Sequence, residues 1–239
     1  MRQGCAAGGG RGYLRSVLTL GEELLLVALD ADKGVLRRSA AMQFALNAAG
    51  MAELAAAGRL QLRRADGSPG VTITAESDAH LGEQPLLDEV LLQARQTRAG
   101  QRHPERCLRN WVAPSLFAYL KSLREREILT WDKPKNRALY GQFHLLDADA
   151  AASARARVER VATGAGPSER DVDLAGIVHG IGLDEDLYKG PRNKAKRARL
   201  STALERHRYA VMLPRLLPEI PGQKFTFDSS NDLKMAREM

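Results

Sequence analysis

Thr19-Leu20-Gly21-Glu22-Glu23-Leu24-Leu25-Leu26-Val27-Ala28-Leu29-Asp30 is the stretch that decides the fold class. Thr19 is a strong N-cap, and Glu22 stands three residues later, where its carboxylate reaches back to the capping backbone. The apolar run that follows puts Leu20, Leu24, Leu25, Ala28 and Leu29 on one wide face, so the spacing predicts a buried helix over 20–30. Asp30-Ala31-Asp32-Lys33-Gly34 then ends it as a turn. Ahead of this helix, the Gly-rich residues 1–12 read as a flexible tail.

Downstream the helical spacing recurs. Met42, Phe44, Leu46, Met51 and Leu54 predict a helix over 40–57, closed by Gly58. Arg59–Arg64 and Val71–Thr74 alternate apolar and polar around the turn cluster Asp66–Gly70, which predicts a β-hairpin. Leu86–Arg98 is a helix opened by Pro85. Leu108–Glu127 is helical, with Pro114 starting or kinking a second helix. Ile128–Trp131 and Leu139–Leu146 predict a second hairpin. Helices over 150–161 and Asp171–Ile181, a loop over Gly182–Asp186 and a basic helix over 192–213 follow, and Pro214, Pro218 and Pro221 end regular structure. The pattern is mainly α: one domain over 13–218, with a tail over 219–239.

Composition agrees. The chain has 239 residues, 44% hydrophobic and 27% charged, which is ordinary for a globular domain. Aromatics are only 5%, so the core is built from Leu, Ala and Val, and the first two are the best helix formers. Cys5 and Cys107 make neither a disulfide framework nor a zinc site by themselves, which fits a reducing cytoplasm. The longest strongly apolar run, Leu24–Leu29, is far short of the roughly 20 residues of a membrane span. Nucleophile-elbow, P-loop, HExxH and GxGxxG motifs are absent, and the five histidines show no ligand spacing. Glu22-Glu23 and Asp88-Glu89 are explained by capping and by favourable charge at helix N-termini, and adjacent helical residues point apart. No catalysis, cofactor or metal is expected.

Charge is the informative feature. Residues 187–209 hold eight basic residues against one acid, Glu205, which equals the whole chain's net charge of +7. Arg192, Lys194, Lys196, Arg197 and Arg199 form its densest part. Such a run is either a solvated helix face or a patch that meets a polyanion, an anionic membrane above all.

Several blocks resemble the Golgi phosphoprotein 3 family. These are LTLGEELLLVALDADKG (Leu18–Gly34), AELAAAGRLQL (Ala52–Leu62), PLLDEVLLQAR (Pro85–Arg95) and LREREILTW…FHLLD (Leu123–Asp147). They come in the family's order, and the Ala/Arg-rich composition looks like that of a bacterial member. The resemblance implies an α-rich fold with small hairpins, no enzymatic activity and peripheral membrane association. It further implies an adaptor that binds phosphatidylinositol 4-phosphate-like headgroups in a basic pocket and holds membrane-protein clients. Counting back from Glu53, the family's pocket Trp and Arg fall on Arg38 and Asn47, and its two pre-hairpin basic positions fall near Ala113 and Leu116. Nearby cations, Arg37, Arg38, Lys121 and Arg124, are the candidates for the headgroup. The other reading of Arg37 and Arg38 is a solvated loop, since most surface charges contribute nothing measurable.

The 129–147 hairpin carries Trp131, Leu139, Tyr140 and Phe143, more apolar surface than an isolated hairpin buries. The expectation is a base, Trp131 and Phe143, packed on the domain and an outer part, Leu139 and Tyr140, free for a bilayer or a second copy. An alternative of another class is nucleic-acid binding, because helix-then-hairpin units beside an Arg-rich helix resemble winged-helix readers. Against it, the basic run lies outside both units.

Overall fold

A computed structural model describes residues 17–63, 69–73, 84–98, 102–132 and 142–217; the expected tails at 1–12 and 219–239 lie outside these residues. Helix α1 spans Leu20–Ala28, and every residue in it is buried. The capping box forms as expected: Thr19 Oγ1 accepts from the Glu22 amide at 3.2 Å, and the Thr19 amide donates to Glu22 Oε2 at 2.7 Å. A helix buried on all sides must be enclosed, and α1 is packed by α2 (Met42–Ala56), α5 (Leu116–Glu125), α6 (Ala148–Thr163) and α7 (Glu169–Gly180). Each of its leucines contributes about 1.5–3 kcal/mol by leaving water.

The predicted helix over 20–30 stops at Ala28. Leu29–Asp30 (β1) instead pairs antiparallel with Val35–Leu36 (β2). The turn chemistry of Asp30–Gly34 outcompetes the last helical turn. Asp30 Oδ1 accepts from the Lys33 amide at 3.3 Å, and the Gly34 amide donates to the Asp30 carbonyl at 2.7 Å. Gly34 has φ +62°, and a Cβ there would stand 2.7 Å from the Phe143 carbonyl oxygen, so only glycine fits.

The first long hairpin is β3 (Leu60–Arg63) with β4 (Pro69–Ile73), paired Leu60 to Ile73. Helix α3 (Pro85–Gln96) packs on α2. The expected helical stretch 108–127 is two helices, α4 (Pro104–Asn110) and α5, with Pro114 in the break between them. Strands β5 (Leu129–Trp131) and β6 (Phe143–Leu145) make the second hairpin. Its base packs inward: the Trp131 ring lies 6.3 Å edge-on from both Phe117 and Phe143, and Phe143 is buried. Leu139 and Tyr140 fall outside the described residues.

The C-terminal half differs from expectation in three places. Gly182–Asp186 is no loop: Leu183–Leu187 forms the short helix α8. The predicted basic helix 192–213 is broken into α9 (Lys194–Leu204) and α10 (Arg208–Leu216). His207 fixes the break, with its Nε2 3.1 Å from Asp173 of α7. Pro214 does not end helical structure but sits inside α10, where buried Tyr209, Leu213 and Leu216 outweigh the hydrogen bond that a proline omits. Helix α10 lies so close on α7 that a Cβ at Gly180 would stand 2.7 Å from the Tyr209 carbonyl oxygen.

Candidate functional site

The charged groups divide into those neutralised inside the domain and those left facing out. At one end of α1, carboxylates of α1, α2 and α7 meet guanidiniums of α6 and α7. Glu23 lies 2.9 Å from Arg157 and 3.2 Å from Arg170; Glu53 accepts from Arg170 at 2.6 Å. Asp171 takes Arg157 at 2.9 Å and Arg160 through both oxygens at 2.8–2.9 Å. Glu22 faces the other way, to Ser122 at 2.7 Å and Arg126 at 3.2 Å. Burial pushes the Glu23 and Glu53 carboxyls above the usual range despite these cations. Asp171 is also desolvated, but Arg160, Ser168 and Arg157 hold it far below that range. These contacts hold the bundle together; the sequence motif Glu22-Glu23 thus serves packing as well as capping. The signal for the partners was the i, i+3 pair Arg157 and Arg160 in an Ala-rich helix, which aims both at one neighbour.

The cations expected to hold a headgroup are all engaged within the chain. Arg37 lies 3.0 Å from Asp30. Arg38 donates to Asp186 at 2.9 Å and Glu185 at 3.0 Å, both on α8. Lys121 sits 3.8 Å from Glu125, and the Arg124 guanidinium lies 4.9 Å above the Trp131 ring. Of the positions that the resemblance assigns to a pocket, Arg38 is held on α8, while Asn47, Ala113 and Leu116 lie on α2 and the 108–116 segment, where the contacts are neutral. Asn47 Nδ2 donates to the carbonyls of Leu108 and Trp111 at 2.9 and 2.8 Å, Gln43 Nε2 donates to the Pro114 carbonyl at 3.2 Å, and Leu116 is buried.

The region around α9 is different. Leu200 and Leu204 seat the helix on α6 and α7, and Lys196 turns inward to Glu159 at 2.5 Å, 5.9 Å from the centre of the Tyr188 ring. Among the described residues no carboxylate lies within 4.0 Å of Arg192, Lys194, Arg197, Arg199, Arg206 or Arg208. All six are exposed except the half-buried Arg197.

The structure also joins what the sequence kept apart. Asp186 accepts from Arg38 and lies 3.0 Å from Lys189, so the β2–α2 turn is next to the entry to α9. The Gly34 carbonyl accepts from the Phe143 amide at 2.9 Å, which ties the β1–β2 turn to the β5–β6 hairpin. Hairpin, turn, α8 and α9 therefore follow one another along the surface. Exposed Val35 and Leu146 flank the turn and the hairpin. Elsewhere the chemistry is sparse. Cys107 is buried, with its thiol pushed up to about 11. Among the described residues no group of three or more His, Cys, Asp or Glu is placed to hold a metal, and no helix is long and apolar enough to cross a membrane.

A model of the Golgi phosphoprotein 3 (GPP34) family matches residues 20–217, which covers all ten helices described above. The chain belongs to the Golgi phosphoprotein 3 family. No curated protein matches it. Family membership and the mainly α architecture agree with each other: the match begins at the first residue of α1 and ends one residue after α10. Golgi phosphoprotein 3 proteins are adaptors rather than enzymes and bind lipid and protein partners in general.

Proposed function

We propose that this member of the family is a non-catalytic peripheral adaptor that docks reversibly on the phosphate-bearing surface of an anionic, phosphoinositide-like membrane and from there holds a membrane-protein client. The single observation that carries the reading is that, among the described residues, Arg192, Lys194, Arg197, Arg199, Arg206 and Arg208 have no carboxylate partner, in a domain whose interior guanidiniums are matched to carboxylates. Each cation near an anionic leaflet contributes about 1 kcal/mol, so several acting together give useful but reversible affinity. The attraction is a surface effect, because the four cations nearest the family's pocket already have partners. The membrane reading places the protein at a cytoplasmic face. It assigns Leu139 and Tyr140, on the 129–147 hairpin, to contact with the bilayer or a second copy.

The same cations would attract nucleic acid. Against a duplex reader, the cations that carry the proposal lie on and around α9 and α10, outside both helix–hairpin units. Co-sedimentation with phosphatidylcholine vesicles, with and without an anionic lipid, tests the proposal. Binding should require the anionic lipid and weaken as salt rises. Equal binding to both vesicles would remove the electrostatic basis of the reading, and a tight sequence-selective DNA complex at physiological salt would replace it.

A further inference from the structure

Arg38 is built in an unusual way. Its backbone is left-handed, φ 53°, a conformation that a non-glycine residue keeps only where the surroundings impose it. The side chain then spans to α8, almost 150 residues away in sequence, and places Nε on Asp186 and Nη2 on Glu185. Its guanidinium lies above Gly182, where a Cβ would be 3.5 Å away. Asp186 is shared with Lys189, at 3.0 Å, directly before Gly190 and the exposed Arg192. Two carboxylates thus occupy the point where the β2–α2 turn meets the α9 surface. Their geometry is that of an acidic ligand held by an arginine fork and a lysine. The side chains of Glu185, Arg38 and Asp186 are 67%, 36% and 21% exposed, so a solute anion reaches the contact from the Glu185 side.

Resting on the membrane reading above, we propose that Glu185 and Asp186 are built-in occupants of an anion site formed by Arg38 and Lys189, and that headgroup phosphates of an anionic bilayer displace them. In the free protein the α8 carboxylates neutralise these two cations and lower the affinity of the surface. At a membrane the phosphates compete for Arg38 and Lys189, and α8 is released from the β2–α2 turn. The contact is autoinhibitory: it lowers the affinity for the bilayer in proportion to the fraction of molecules in which it is closed.

The sign of the effect tests this. Full-length protein is sedimented with phosphatidylcholine vesicles containing phosphatidylglycerol, comparing wild type, E185Q/D186N, Arg38→Ala, the triple variant and a charge-matched control, D149N/E169Q. Asp149 and Glu169 are exposed and lie in the first turns of α6 and α7. E185Q/D186N should bind more tightly than the control by about fivefold, the effect of about one further cation made available. That excess should vanish when Arg38 is alanine. An excess equal to the control, or one that survives Arg38→Ala, overturns the proposal while leaving the membrane reading standing. If E185Q/D186N unfolds, Glu185→Gln alone carries the test with an expected gain of about twofold over Glu169→Gln. Binding by E185Q/D186N but not by wild type would be its strongest form. Absence of vesicle binding in every variant overturns both readings. Release by inorganic phosphate at constant ionic strength would identify a free anion, not the bilayer, as the occupant and overturn the assignment.

Discussion

Arg170→Met is expected to destabilise the domain by about 3 kcal/mol near neutral pH. Arg170 Nη1 donates to Glu53 at 2.6 Å, while Nη2 donates to the Leu18 carbonyl at 2.7 Å and lies 3.2 Å from Glu23. Methionine keeps most of the apolar stem and removes all three contacts. Glu23 retains Arg157 at 2.9 Å, whereas among the described residues Glu53 has no second cation within 4.0 Å. Breaking a buried pair costs about 3–5 kcal/mol, and the low end applies because the Arg170 side chain is 30% exposed. The pH dependence has a definite sign. Glu23 and Glu53 already titrate above 4.5, because burial outweighs their cations, and losing Arg170 pushes them higher. A carboxyl raised on folding contributes stability that is fully present below its unfolded value and is lost as pH rises through its folded one. The deficit of the variant should therefore be largest at about pH 7.5 and shrink towards about pH 5, as protonation relieves the unpaired charges. Urea unfolding of both proteins at the two pH values, with m unchanged, measures it. A loss below about 1 kcal/mol, or one that is the same at both pH values, would refute the assignment of these groups to a buried charge network.

Two further perturbations probe the packing and the hairpin. Gly180→Ala puts a methyl 2.7 Å from the Tyr209 carbonyl and 3.0 Å from Leu213, so it should cost about 2 kcal/mol by thermal unfolding; a neutral result would mean that α10 can shift freely on α7. Replacing 133–141 by a short Gly/Ser link should preserve cooperative unfolding, since Trp131 and Phe143 already anchor the strands, and should lower vesicle binding or self-association. Loss of cooperative unfolding would instead make Leu139 and Tyr140 part of the core.

Much of this was legible from local chemistry. Thr19 with Glu22 marked the start of α1 because a capping box is specified within four residues. The leucines behind it marked burial, because no amphipathic face remained for water. Signals failed where a tertiary contact overrode a local one. Helical propensity runs through 192–213, yet His207 is captured by Asp173 and splits it. Leu29 and Asp30 continue the helical pattern, yet Asp30 and Gly34 close a turn against the β5–β6 hairpin. The cations of the candidate site were readable as residues, but their partners were not. Arg38 and Asp186 are 148 residues apart, and no local spacing announces such a pair. Sequence alone therefore offered both Arg37, Arg38, Lys121 and Arg124 and the basic helix as anion-binding candidates, whereas the structure shows the first set engaged and, among the described residues, Lys194, Arg197 and Arg199 of α9 without a carboxylate partner.

The most direct measurement is the affinity of wild type and of R192A/K194A/R199A for phosphatidylglycerol-containing vesicles, with thermal unfolding run in parallel. All three side chains are exposed, so the melting temperature should be unchanged. Losing three cations at about 1 kcal/mol each should weaken binding by roughly two decades. Equal affinity of the two folded proteins would contradict the claim that this domain meets membranes through the exposed cations on and around α9.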